Sequence, residues 1–176
     1  MDRLWAPWRT QYIRDAKEPS DDPSGCFFCR SLAAPRDRDR ENLLAWRGPN
    51  SVVVLNRFPY NNGHLLVAPR AHLGALGELS GAELTEPVEV VKRSIAVLDV
   101  IMRPHGYNVG LNQGRSAGAG LPGHLHWHVV PRWDGDSNFM PVVGDARVVS
   151  ESLHAFYDRF IAALAPEAGA DSLSSS

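Results

Sequence analysis

The stretch Gly123–Trp133 reads GHLHWHVVPRW and holds three histidines at strict alternation, His124, His126 and His128. Successive side chains of an extended strand point to opposite faces, so one face carries all three imidazoles. Leu125, Trp127 and Val129 occupy the alternate positions, Val130 follows, and this apolar set calls for a core behind the strand. Pro131 lacks a ladder donor and is expected to end the strand. Three of the seven histidines fall within five positions, which favours a site over an ordinary polar face.

A chain of 176 residues with 44% hydrophobic and 22% charged residues suits one globular domain with a full core. The expected domain spans 1–165, with an N-terminal arm (1–25), a core (26–135) and a C-terminal helical region (136–165). A loose tail, 166–176, follows. A net charge of −2 leaves no electrostatic footprint for nucleic acid or acidic membranes. No apolar run approaches bilayer length, and the start (MDRLWAPWRTQYI) lacks a signal-peptide apolar region. The expected compartment is the cytoplasm, with no membrane or nucleic-acid partner.

Along the chain, Leu4, Trp5, Trp8, Tyr12 and Ile13 recur at roughly helical spacing, interrupted by Pro7; they suit docking on the domain or a partner subunit. Strands are expected at Asn42–Arg47, Ser51–Asn56, His64–Pro69 and Tyr107–Asn112. Ser80 reads as the N-cap of a long helix whose apolar face is Leu84, Val88, Val91, Ile95, Leu98 and Met102. Pro87 is expected to bend this helix or split off its first turns. Leu153, Phe156, Tyr157, Phe160, Ile161 and Leu164 mark a last amphipathic helix over Ser150–Leu164. Consecutive strands with one long inserted helix predict an α+β fold with a mainly antiparallel sheet of about five strands. His105 and His154 read as surface residues and Trp127 as core, while Trp133 suits either packing or stacking on a base.

A neutral imidazole is a nucleophile or a general acid, and one ring nitrogen can carry a phosphoryl group. The glycine-dense run Gly114–Gly120 (GRSAGAG) approaches the histidine strand, and its backbone N–H groups suit an anion. Together they point to phosphate chemistry. Cys26 and Cys29 form a Cys-x-x-Cys, which suits half a zinc site, a redox pair or two buried thiols. No thioredoxin-like context supports the redox reading. Tetrahedral zinc needs two further ligands, and histidines are the plentiful candidates.

The run His124-Leu125-His126-Trp127-His128-Val129-Val130 resembles the His-φ-His-φ-His-φ-φ signature of the histidine-triad (HIT) family of nucleotide hydrolases and transferases. Val54–Pro69 (VLNRFPYNNGHLLVAP) resembles that family's ribose-binding strand–turn–strand. LWAPWR near the start and PRWDGDSNF after the triad are similar to the diadenosine tetraphosphate phosphorylase branch.

The resemblance implies a five-stranded HIT fold and a set of roles. His126 would attack the α-phosphate and form a nucleotidyl-histidine, and His128 would attend the phosphate or leaving group. Asn56 would bind the ribose hydroxyls and His64 would support the site from behind. Asn112, Gly114, Ser116, Gly118 and Gly120 would contact phosphate or the leaving group. The Gln, Ser or Thr that the family carries shortly before the triad is missing from Gly120-Leu121-Pro122-Gly123. Cys26, Cys29, His72 and His124 match the positions of a structural zinc site in zinc-containing members and in related galactose-1-phosphate uridylyltransferases. No cofactor is implied for the chemistry itself. The expected substrates are adenine nucleotides or diadenosine polyphosphates, with an adenosine 5′-phosphoramidate as runner-up. A non-catalytic nucleotide-binding module is the reading of a different class. The resemblance also implies a homodimer, with a tetramer as the extension.

Overall fold

The structure, a computed structural model, describes residues 23–136 and 151–168. The N-terminal aromatics Trp5, Trp8 and Tyr12 and the run PRWDGDSNF beyond Asp136 lie outside the described residues.

Five strands form one antiparallel sheet: β1 (Leu44–Arg47), β2 (Ser51–Leu55), β3 (Leu65–Pro69), β4 (Gly106–Leu111) and β5 (Trp127–Arg132). Their spatial order is β1-β2-β3-β5-β4. After β3 the chain crosses through the long helix and returns as β4 at the edge. It then slots β5 between β3 and β4. The histidine strand is therefore interior, held from both sides.

Alternation divides the side chains as expected. Val53, Leu55, Leu65, Val67, Leu125, Trp127 and Val129 belong to a core covered by two helices, α2 (Gly81–Met102) and α3 (Leu153–Ala168). On the other face Val52, Val54, Leu66 and Ala68 pack with Cys26 and Phe28 of a short segment, α1 (Phe27–Ala33), with Cys26 at its N-cap. Each large side chain fully buried in these layers contributes about 1.5–3 kcal/mol.

Several details differ from expectation. Pro131 does not end β5; it pairs with Tyr107 on the β4 side. β5 has by then outrun β3, whose last pair is Leu65–Val129, so no β3 acceptor lacks a donor there. The Pro131 carbonyl instead accepts from Asn61 Nδ2 at 3.1 Å. Pro87 does not split the long helix, which runs unbroken over 22 residues. The buried face of α2 is Pro87, Val90, Val91, Ser94, Val97 and Leu98, whereas Leu84 and Val88 are exposed. The α2 face is thus rotated from the one expected, because Pro87 and Ser94 serve as packing residues. α3 extends to Ala168, so the first residues of the expected tail are helical. No helix among the described residues is long and apolar enough to cross a membrane.

Candidate functional site

β5 proper begins at Trp127, so His124 and His126 lie just ahead of the ladder. Leu125 N–H donates to Leu73 O at 2.7 Å and carries the β3–β5 pairing onward to this approach. The three imidazoles still share a face. The Phe28 ring lies 4.9 Å from His124 and 5.5 Å from His126, and His126 is 5.0 Å from His128. They then separate into two groups with different partners.

The first group holds His126, His128, His64 and Asn56. His126 is 5% exposed, and its Nδ1 lies 2.9 Å from the His124 carbonyl. A carbonyl only accepts, so Nδ1 carries the proton and Nε2 presents its lone pair, with no partner among the described residues. Burial holds the His126 pKa below its ordinary value. The buried imidazole is neutral at neutral pH.

The proton placement on His64 and His128 follows the same logic. Tyr60 N–H donates to His64 Nδ1 at 3.1 Å, so that nitrogen is an acceptor. His64 Nε2 must then carry the hydrogen, which it donates to His128 Nδ1 at 2.9 Å. His128 is left with its Nε2–H as a donor. Burial, reinforced by the neighbouring imidazoles, pushes His64 down to about 3. Burial, and then His126, pushes His128 down to about 4. Asn56 turns its Nδ2 to His64 Nδ1 (3.1 Å), and its Oδ1 accepts from Phe58 N–H (2.9 Å). One Asn56 N–H and one oxygen lone pair remain for a ligand.

The nine-residue link between β2 and β3 makes this possible. Gly63 adopts φ +78°, and a Cβ there would meet Met102 Sδ at 2.6 Å. Only glycine turns the chain so that His64 enters beneath His128.

The second group is Cys26, Cys29, His72 and His124, whose donor atoms all lie within 4.8 Å of one another. Cys26 Sγ is 3.2 Å from His124 Nδ1, and Cys29 Sγ is 3.3 Å from His72 Nδ1 and 3.7 Å from His124 Nδ1. Tetrahedral zinc at its usual bond lengths separates its S and N donors by about 3.3–3.8 Å, so the cluster fits such an ion. His124 Nε2–H donates to Pro69 O at 2.8 Å, which leaves Nδ1 free to ligate. Burial, with Cys26 beside it, raises the Cys29 thiol to about 11. A divalent cation reverses that preference. The approach of His72 to His124 is tight: a Cβ on Gly74 would come 2.7 Å from Pro122 O.

The remaining expected residues lie on the far side. Gly110 pairs with His128 and Leu111 with Trp127, so the register sets Asn112 across from His126, one step beyond the last pair. Gly114, Gly118 and a single turn at Arg115–Ala117 follow, with positive φ at both glycines. No hydrogen bond among the described residues joins Ser116 to an imidazole; with Gly120 it forms the lead-in to His124. Trp133 lines a cleft with Asn61, Ile101, Met102 and Arg159, away from the imidazoles. His105 and His154 are exposed.

Three contributors were missed in the sequence. Tyr60 lies tilted against His64 (4.7 Å) and stacks on His128 (5.8 Å), and Phe28 backs two of the triad. Tyr60 had one available signal, its place four residues before His64 in the same turn. Arg47 anchors α1: its guanidinium donates to the carbonyls of Ser31, Leu32 and Ala34 and pairs with Asp39 at 2.5 Å. Beside α1, Phe27, Arg30, Ser31, Ala34, Asn42 and Arg57 line a cleft of about 510 Å³. Arg57 follows Asn56, and Phe27 stacks on Phe28 at 4.1 Å, so the cleft adjoins the first group.

Comparison with known proteins agrees with this arrangement. The HIT domain family model matches residues 41–135. An AP-4-A phosphorylase of Mycobacterium tuberculosis is 40% identical over 154 residues, covering 87% of this chain and 79% of that protein. A Zn-bound histidine triad family protein from Mycobacterium smegmatis superposes with a TM-score of 0.66 at 24% identity, over 85% of this chain and 99% of that one. A hypothetical histidine triad nucleotide-binding protein from Sulfolobus tokodaii gives 0.63 at 25% identity, over 80% and 93%. With an alternating histidine strand, the sheet order around it and this degree of likeness, the chain belongs to the HIT family of nucleotide hydrolases and transferases.

Proposed function

We propose that this protein cleaves dinucleoside polyphosphates, with diadenosine tetraphosphate as the preferred class, through a covalent nucleotide on His126. The observation that carries the reading is the buried, neutral His126, whose Nδ1–H is held by the His124 carbonyl while Nε2 stays unpartnered. That is the state a nitrogen nucleophile needs.

In the first step Nε2 attacks the α-phosphorus and the bond from phosphorus to the bridging oxygen breaks. The nucleoside triphosphate departs as its anion, and its new terminal oxygen accepts a hydrogen bond from His128 Nε2–H. His64 Nε2–H at His128 Nδ1 keeps the donor side of His128 towards the leaving group. In the second step an oxygen nucleophile attacks the nucleotidyl-histidine and the P–N bond breaks. A phosphate attacks through an unprotonated oxygen and a water releases its proton to solvent, while His126 departs as the neutral imidazole with Nδ1–H on the His124 carbonyl. Inorganic phosphate gives a nucleoside diphosphate; water gives a monophosphate. The 40% identity to the mycobacterial AP-4-A phosphorylase supports phosphate as acceptor.

Asn56, with one N–H and one lone pair to spare, binds the ribose, and the cleft between Phe27 and Arg57 takes the base. Asn112 and the turn around Gly114, Ser116, Gly118 and Gly120 contact phosphate oxygens, largely through backbone N–H groups. Cys26, Cys29, His72 and His124 hold a structural zinc ion, whose contribution is to fix the backbone around His124. We place the protein in the cytoplasm as a homodimer.

The experiment is incubation with diadenosine tetraphosphate, with and without inorganic phosphate. ADP and ATP appearing only with phosphate is the expected result; AMP without phosphate marks a hydrolase. Absence of any nucleotide product, with binding retained, would leave a non-catalytic module and sink the proposal.

A further inference from the structure

The link between β2 and β3 carries Asn56, Tyr60 and His64 and lies outside every ladder of the sheet. Several of its hydrogen bonds close on the link itself: Phe58 N–H on Asn56 Oδ1, Asn62 N–H on Asn61 Oδ1, His64 N–H on Asn61 O and Tyr60 N–H on His64 Nδ1. His64 is steadied from outside as well, because the next residue, Leu65, pairs with Val129 of β5. Tyr60 is four residues further from that pairing.

Asn61 fastens the link to the end of β5. Its Nδ2 donates to Pro131 O at 3.1 Å and to Asp136 Oδ2 at 2.8 Å. The carboxylate is itself held in place. Gly135 takes φ +76°, which folds the chain back after Trp133, and Asp136 N–H donates to Trp133 O at 3.1 Å. The Asp136 side chain is 10% exposed. Its Oδ2 also accepts from Trp133 N–H at 3.1 Å and from Arg132 Nε at 2.6 Å, and its Oδ1 accepts from Arg132 Nη2 at 2.8 Å. Arg132 Nη1 donates to Asn108 Oδ1 at 2.7 Å and so anchors the guanidinium on β4. Hydrogen bonds to a charged acceptor are roughly twice as strong as neutral ones. Asp136 is thereby fixed to the strand that carries His128.

We infer that Asp136 is a positioning residue for the reaction: its carboxylate holds Asn61, and with it the adjacent Tyr60 amide, in place against the strand that presents His128. A slack Asn61 lets the Tyr60 N–H leave His64 Nδ1. That nitrogen can then take the proton, and His64 Nε2 no longer donates to His128 Nδ1. This rests on the proposed function, since it names what aligns that reaction's hydrogen-bond donor.

The test compares diadenosine tetraphosphate with a p-nitrophenyl ester of AMP, whose leaving group spreads its charge over the ring. The ratio of their kcat values is measured for the natural protein, Asp136→Ala, Asp136→Asn and Asn61→Ala, with circular dichroism to verify folding. Asp136→Ala is expected to lower the ratio about 3- to 10-fold with KM little changed, and Asn61→Ala at least as much. Asp136→Asn should recover most of the ratio, because its amide oxygen can take the place of Oδ2 and accept from Asn61. In a His64→Ala background, Asp136→Ala should leave the ratio where His64→Ala alone puts it. Equal losses on both substrates would reduce Asp136 to a support of the fold and overturn the inference. A further fall of the ratio in the His64→Ala background also overturns it, since Asp136 then acts elsewhere. So does an Asp136→Asn as impaired as Asp136→Ala, which would give the effect to the Arg132 charge pair. Should Asp136→Ala not fold, Asn61→Ala decides alone, because it leaves the carboxylate with Arg132 and the Trp133 amide. If the natural protein turns over neither substrate, the functional reading fails and this inference goes with it. If it turns over both and the variants leave the ratio fixed, only this inference fails.

Discussion

His64 Nε2 donates to His128 Nδ1 across 2.9 Å, and the direction of that bond is imposed by the Tyr60 backbone N–H on the far nitrogen of His64. A main-chain amide cannot change its role, so it polarises a two-imidazole relay and delivers an N–H to the reaction face. Replacing His64 with Ala frees His128 to adopt either tautomer. We expect kcat to fall about 10- to 100-fold for diadenosine tetraphosphate with KM little changed. The loss should shrink for a p-nitrophenyl ester of AMP, whose leaving group needs no hydrogen-bond donor. Equal losses on both substrates would mean that His64 merely supports the fold.

His126→Ala removes the only proposed covalent carrier. The expected loss of turnover is about 10⁴-fold or more, as for other nucleophile deletions. Rapid quench of the natural protein with labelled substrate should trap one nucleotide per site, acid-labile as a P–N bond is, and none on the variant. A labelled His126→Ala protein would refute the assignment.

The pH dependence follows from burial. His64 and His128 have folded-state values of about 3 and about 4, below the ordinary histidine value of about 6.5. Both stay neutral well into the acid range, so kcat/KM should hold down to about pH 5 and fall only below it. The stability sign agrees. As pH drops below about 6.5 the unfolded chain takes up protons that the folded chain refuses, so folding is weakened progressively from there towards pH 4. An acid limb near 6.5 in the rate profile would contradict the buried, neutral relay.

Metal content is a separate test. Purified protein should carry about one zinc per chain, and Cys26→Ser or Cys29→Ser should lower that content and the Tm together. Chelation should lower Tm, with recovery on adding zinc. Full zinc content in Cys26→Ser would exclude the site.

Arg47→Ala should cost about 3–5 kcal/mol by urea unfolding, because it leaves the Asp39 carboxylate buried without a partner. The Arg47 and Asp39 side chains are 9% and 17% exposed, and the carbonyls of Ser31, Leu32 and the α1 C-cap Ala34 lose their donor as well. A cost below about 1 kcal/mol would class the pair with exposed ion pairs.

The readability of this chain tracks the range of the interactions involved. Strand periodicity is local, and the expected strands agree with β1–β4 to within two residues at each end, whereas β5 begins at Trp127, three residues after His124. The face of α2 was misjudged because Pro87 and Ser94 are polar or irregular by type yet buried by place. Pro131 was misjudged because its missing donor matters only where a neighbour strand continues, and β3 does not. Tyr60 and Arg47 carried no chemical signature of their own, and each matters through a partner fixed by the fold.

The triad strand shows where the division falls. Alternation alone determined that His124, His126 and His128 share a face, since period two is a property of extended backbone. The motif determined the family. Alternation could not distinguish the three imidazoles; the family resemblance gave them separate expected roles. The resemblance had already set His124 with Cys26 and Cys29, and the tertiary structure brought those donors together; only the tertiary structure gave His126 Nδ1 to a carbonyl and His128 Nδ1 to His64. Proton placement on an imidazole depends on what faces its second nitrogen, and those partners come from residues up to 98 positions away.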